Sequence, residues 1–180
     1  MDPTESDIQV LVQRAQAGDS DGVAGLFDVF SERIFRYIRM RVSDEATAED
    51  LTQTVWLEMI QALPRYKMRP NAKFGTWLFQ IARFRLIDHY RKGGREISLE
   101  ASGLEYSMSE PAKLPEIESS LVDRVWADLP EREQTVLHLR FREGYKPSEI
   151  AKVLKTTSLN VRVIQHRALR RLRGLIQSEA

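Results

Sequence analysis

The sequence predicts an all-α protein of two small helical domains, and three observations predict it. Apolar residues recur at the helical period through most of the chain. No segment keeps the strict alternation that marks a strand. A non-periodic acidic stretch carrying serines and prolines divides the periodic part in two. The domains are expected at residues 1–95 and 120–180, joined by an extended acidic linker over 96–119. A chain of 180 residues can build a core in each of two modules.

The elements follow in order. A short helix runs from Asp7 to Ala17 and stops at Gly18. The next, Gly22 to Met40, carries Val23, Leu26, Phe27, Phe30, Ile34, Tyr37 and Ile38 at helical spacing. Ser43-Asp44-Glu45 starts a third helix, which Pro64 stops near Leu63. On it Leu51, Val55, Met59 and Ala62 form a buried stripe, and Asp50, Gln53 and Trp56 fall off that stripe as an exposed set. RYKMRPNAK (65–73) is a basic loop, and FGTWLFQIARFRLIDHYRK (74–92) is a helix closed by Gly93-Gly94. Beyond the linker, helices are predicted over Leu121–Leu129, Pro130–Arg142, Pro147–Leu154 and Thr157–Gln177. The two prolines stand where a first helical turn accepts them.

A net charge of +1 conceals segregation. Residues 1–64 carry 5 basic and 12 acidic side chains, and 65–95 carry 9 and 1. Residues 96–123 carry 1 and 7, and 124–180 carry 12 and 6. Two basic zones point either to an anionic polymer or surface, or to solvated helix faces. The acidic N-terminus MDPTESD is not a secretory leader, no apolar run approaches a membrane span, and there is no cysteine. An intracellular, cytoplasmic protein without membrane insertion is expected.

The helix over 74–92 is aromatic and basic together. On a wheel it is apolar round most of its circumference, with Trp77, Leu78 and Ile81 read as core. Thr76, Gln80, Arg83, Ile87, Tyr90 and Arg91 fill the remaining arc. Cations beside aromatic rings suit single-stranded nucleic acid, because charge follows phosphates while rings stack on bases. Arg65, Lys67, Arg69 and Lys73 extend the positive track.

PSEIAKVL, the turn KTT and a helix from Ser158 have helix-turn-helix proportions. Ile150, Ala151 and Leu154 pack inward, as do Val161, Ile164, Ala168, Leu172 and Leu175. The Thr157 hydroxyl can cap the second helix. Its other faces hold Asn160, Arg162, His166, Arg167, Arg170, Arg171 and Arg173, with no acid between Ser158 and Ser178. In a major groove Asn160 suits adenine and Arg162 guanine or phosphate, while the later arginines suit the backbone. The alternative is a basic helix that packs on a partner protein.

AEDLTQTVWLEMIQAL (48–63) followed by FGTWLFQIARFRLIDHYRK resembles region two of extracytoplasmic-function sigma factors. LPEREQTVLHLRFREGYKPSEIAKVL with NVRVIQHRALRRLR (129–173) resembles their region four. The resemblance implies a promoter-specificity subunit with no catalysis and no cofactor. Its partners would be core RNA polymerase (β′ clamp helices and β flap), promoter DNA and an anti-sigma factor. It implies clamp-helix contacts at Asp50, Leu51, Gln53, Thr54 and Trp56. It implies capture of the −10 non-template strand at Phe74, Thr76, Trp77, Gln80 and Arg83, with a base extruded into a pocket; Phe84, Tyr90 and Arg91 on the same helix are expected to join that surface. The −35 duplex would be read by Ser158, Leu159, Asn160, Arg162, Val163, His166 and Arg167. The linker would thread toward the polymerase cleft.

The chain departs from the family pattern at three places. Phe84 stands where Asn is usual, so no side-chain amide meets a base there. Lys155 stands where the turn usually holds Gly, which predicts strained left-handed backbone. Ile164 and Gln165 replace a basic and then an apolar residue, which predicts a shifted buried register. An enzyme built on Asp88 and His89 is disfavoured, because adjacent helix positions point about 100° apart. His138 and His166 lack a nearby ligand set, so no metal is expected.

Overall fold

The computed structural model describes residues 3–69, 72–93 and 125–179. The predicted linker and the helix start at Leu121 lie outside these. Among the described residues the structure is helical, with one isolated antiparallel bridge between Arg69 and Ala72. The chain falls into two compact units, Met1–Gly93 and Gly94–Ala180.

The first unit comprises α1 (Glu5–Gln16), α2 (Ser20–Arg39), α3 (Glu45–Ala62), a 3-10 turn (Leu63–Arg65) and α4 (Phe74–Lys92). Thr4 caps α1 by accepting from the Asp7 amide at 3.3 Å, and the Asp7 carboxylate accepts from the Thr4 amide at 2.8 Å. This reciprocal cap starts the helix two residues earlier than expected, because Thr4 and Asp7 form the box together. Gly18, at φ 86°, reverses the chain into α2. The two helices then approach closely: a β-carbon on Gly22 would lie 2.5 Å from the Ala15 nitrogen. Asp44 caps α3 by accepting from the Thr47 amide at 2.8 Å. Leu26, Phe30, Ile34, Tyr37 and Ile38 of α2 meet Val55 and Met59 of α3 and Leu78, Phe79, Ala82 and Leu86 of α4 in a core from which water is excluded.

The second unit comprises a helical turn at 125–127, α5 (Glu131–Leu137), a π turn (His138–Arg142), α6 (Pro147–Leu154) and α7 (Ser158–Glu179). The expected single helix to Arg142 therefore changes its winding at His138. The wider turn coincides with a fully buried imidazole, whose Nε2 lies 3.5 Å from Glu143 Oε1. Gly144, at φ 68°, ends it as expected. The Gln134 amide donates to the carbonyls of Trp126 and Leu129 at 2.9 and 3.0 Å, which satisfies two groups where the chain enters α5.

Candidate nucleic-acid interface

α4 is placed by its ends. Phe74 begins it, packed against Phe30, Tyr66 and Trp77 with ring centroids 5.4–5.7 Å apart. At the far end the Tyr90 hydroxyl donates to the Arg41 carbonyl after α2. The Arg41 guanidinium lies 3.9 Å from the centre of the Tyr37 ring. Tyr90 is therefore a brace between α4 and α2 as well as an aromatic surface.

The outer face of α4 is turned roughly 80° from the expected arc, at 100° per residue. It consists of Trp77, Gln80, Ile81, Phe84, Asp88 and Arg91, all half-buried or exposed. Phe84 stands at its centre and is 57% exposed. Thr76 and Ile87, assigned to the arc, are buried, and Trp77 and Ile81, read as core, are half-open. The wheel misplaces the face because it scores aromatic rings as core. Phe74 and Thr76, expected at a strand, lie beneath the surface at 2% exposure each. Phe74 packs against the Trp77 ring from within, at 5.4 Å between centroids.

Tyr66, half-buried at the start of the basic loop, lies over Trp77 with centroids 4.5 Å apart. Sequence reading missed it as part of the aromatic surface, although it stands within the basic run. Arg65, Lys67 and Arg69 of the loop are exposed. Arg85 is differently placed: its Nε lies 3.0 Å from Glu58 of α3 and its Nη1 3.6 Å from Asp88. Lys92 also pairs with Asp88, at 3.1 Å. These two cations are partly neutralised by protein carboxylates, and Arg65, Lys67, Arg69 and Arg91 are the exposed cations beside the aromatic face.

On α3, Asp50 and Gln53 are exposed and Leu51 and Thr54 are half-buried. Trp56 corrects the expectation of an exposed anchor. It is 6% exposed, because Phe27 of α2 covers it with centroids 4.9 Å apart. The open apolar positions are Leu57 and Ile60, at 61% and 46% exposure. They continue the face of Gln53 and Thr54 at helical spacing, which was the sequence cue to them.

In the second unit Lys155 adopts φ 51°, ψ 53°, the left-handed turn its replacement of glycine predicted. The Asn160 amide nitrogen of the backbone donates to Thr157 Oγ1 at 3.1 Å, the expected cap. Asn160 also donates through its side chain to Thr156 Oγ1 at 2.8 Å, so its amide holds the turn. Ser158, Leu159, Arg162 and His166 are exposed and Arg167 is half-buried. Val163, expected on the reading face, is 8% exposed. The buried register does shift: Gln165 joins Val161, Ala168 and Leu172 inside, and Ile164 is half-open. Arg167, Arg170 and Arg171 line an open concavity of about 400 Å³. Arg171 Nε lies 3.4 Å from Glu133 Oε2 of α5. Burial pushes the Glu133 carboxyl above its ordinary range, against the opposing pull of Arg171 and Arg167.

Among the described residues no helix is long and apolar enough to cross a membrane. Residues 26–96 match the family Sigma-70 region 2, and residues 127–174 match Sigma-70, region 4. The chain is 34% identical over 179 residues to the ECF RNA polymerase sigma factor SigD of Mycobacterium tuberculosis, covering 94% of this chain and 84% of that one. It is 32% identical over 176 residues to the ECF RNA polymerase sigma factor BldN of Streptomyces coelicolor, covering 94% of this chain and spanning 66% of that protein's length. Among solved structures it resembles CnrH, in complex with the cytosolic domain of CnrY, with a TM-score of 0.73 at 20% identity, covering 95% and 97% of the two chains. It also resembles RpoE of Bartonella quintana, in complex with the anti-sigma factor NepR, with a TM-score of 0.67 at 18% identity, covering 87% and 98%. These two likenesses are of fold.

Proposed function

The chain belongs to the extracytoplasmic-function sigma factors, the promoter-recognition subunits of RNA polymerase, and from that premise we propose how its own residues divide the work. Residues 1–95 bind core polymerase and the opened −10 strand, 96–119 link, and 120–180 read the −35 duplex. Trp77, Gln80, Phe84 and Arg91 form the strand-capturing face, with Arg83 at its edge and Phe74, Thr76 and Tyr90 as supports. The observation that carries this is Phe84, a phenyl ring 57% exposed in the middle of the outer face of α4. An exposed ring there costs solvation in the free protein, and a stacked base would recover it.

The β′ clamp helices would meet Asp50, Leu51, Gln53 and Thr54, with Leu57 and Ile60 as apolar anchors and Trp56 as a buried support. The recognition helix would present Ser158, Leu159, Arg162 and His166 to the groove, with Arg167 toward the backbone. Asn160 and Val163 would shape that helix from within. An anti-sigma factor would cover the same apolar positions of α3, and the working compartment is the cytoplasm. Native-gel association with purified core polymerase tests the assignment. The wild-type chain shifts the core band and Leu57→Asp does not, while both keep the same thermal transition. A chain that binds duplex DNA but never associates with core would be a regulator of another kind.

A further inference from the structure

Gln16 is the last residue of α1 and precedes the segment that matches region 2. Its side-chain nitrogen donates to the Leu63 carbonyl at 2.9 Å and to the Tyr66 carbonyl at 2.7 Å, across 47 and 50 residues of sequence. One amide group therefore ties both ends of the turn by which the chain leaves α3. Pro64 stands inside that turn and brings no N–H of its own. The Tyr66 amide closes the turn internally, donating to the Leu63 carbonyl at 3.0 Å. Beyond Tyr66 the basic loop runs through Lys67, Met68 and Arg69, and closes where the Ala72 amide donates to the Arg69 carbonyl at 3.1 Å.

We propose that Gln16 is a positioning residue for strand capture: it sets where the basic loop begins, and through Tyr66 where the aromatic platform lies. Fixing the Tyr66 backbone fixes its ring against Trp77, 4.5 Å away, and in a T-shaped contact with Phe74 at 5.5 Å. The requirement is chemical. Two carbonyl oxygens need two hydrogens from a single nitrogen at the end of a four-atom reach. Glutamate has the reach but, ionised, only accepts, and would set a carboxylate against two carbonyl oxygens. Methionine has the reach and neither donates nor repels.

The proposal rests on the strand-capture reading of α4, and its test separates the two. Holoenzyme is assembled with core polymerase at a promoter located by mapping wild-type start sites, and closed-complex affinity and opening rate are measured separately. Gln16→Glu is expected to leave core association and closed-complex affinity within about twofold and to slow opening roughly tenfold, the scale of losing hydrogen bonds to part-buried carbonyls. Gln16→Met is expected to slow opening by a smaller factor, and it carries the test if Gln16→Glu does not fold. Unchanged opening in a folded variant overturns the proposal. An equal loss of core association, closed-complex affinity and opening also overturns it, since Gln16 would then only hold the bundle together. If the wild-type holoenzyme opens no promoter, it is the reading of α4 that fails.

Discussion

The ring of Tyr66 lies over that of Trp77 with centroids 4.5 Å apart and planes inclined by 33°. Tyr66 comes from the basic loop and Trp77 from the first turns of α4, so this contact joins the positive track to the aromatic face. Phe84 lies two turns further along the same side of the helix. Charge and stacking surface are thus contiguous on one side of the first unit.

That arrangement separates stability from strand capture. Trp77→Ala should cost about 2 kcal/mol of stability, less than a fully buried tryptophan would, because one side of the ring is open. Phe84→Ala should change stability by less than about 0.5 kcal/mol and weaken single-strand binding by the holoenzyme by about 1–3 kcal/mol. Denaturant midpoints and oligonucleotide titration measure the two effects. Equal loss of stability in both variants would contradict the division.

Lys155 occupies left-handed backbone at φ 51°. Lys155→Gly should stabilise the second unit by about 1 kcal/mol, because the β-carbon clash disappears. Its thermal transition should rise by several degrees. An unchanged or lowered transition would show that the turn is not strained.

Glu133 gives a pH signature. Burial raises its carboxyl above the ordinary value of 4.5. A raised carboxyl favours the protonated form in the folded state. The second unit should therefore lose stability as pH rises from about that ordinary value through the higher folded one. Glu133→Gln should flatten this slope, as read from urea midpoints across the acidic range. A slope identical in the variant would place the titration elsewhere.

Arg162 is exposed on the first turns of α7. If it contacts a phosphate, Arg162→Ala should reduce the salt slope of promoter affinity by about 0.9 and weaken binding to all sequences alike. If it reads a base edge, the slope should change little while discrimination at one position falls. Titration at several salt concentrations on matched and mismatched duplexes distinguishes the two.

Element type was legible in the sequence because it is written locally. Asp44 caps α3 through its own side chain, Gly144 ends the turn before α6, and Pro147 begins α6. The two-module division followed from composition. What escaped was set by tertiary packing. Trp56 looked exposed until Phe27 of the preceding helix covered it. The open face of α4 was misplaced because hydrophobicity cannot tell a ring meant for the core from a ring meant for a ligand. The two long-range hydrogen bonds of Gln16 were invisible, since its partners lie 47 and 50 residues away. The winding change at His138 accompanies a buried imidazole that no local pattern announces.

The most direct measurement is run-off transcription with purified core polymerase on a pool of genomic fragments, followed by mapping of start sites and of permanganate-reactive thymines. Discrete starts that require both chain and core, each with an opened −10 segment, are the predicted result, and Phe84→Ala should reduce the opening while core association persists. A chain that never joins core polymerase, or that joins it and initiates nowhere, would contradict the account.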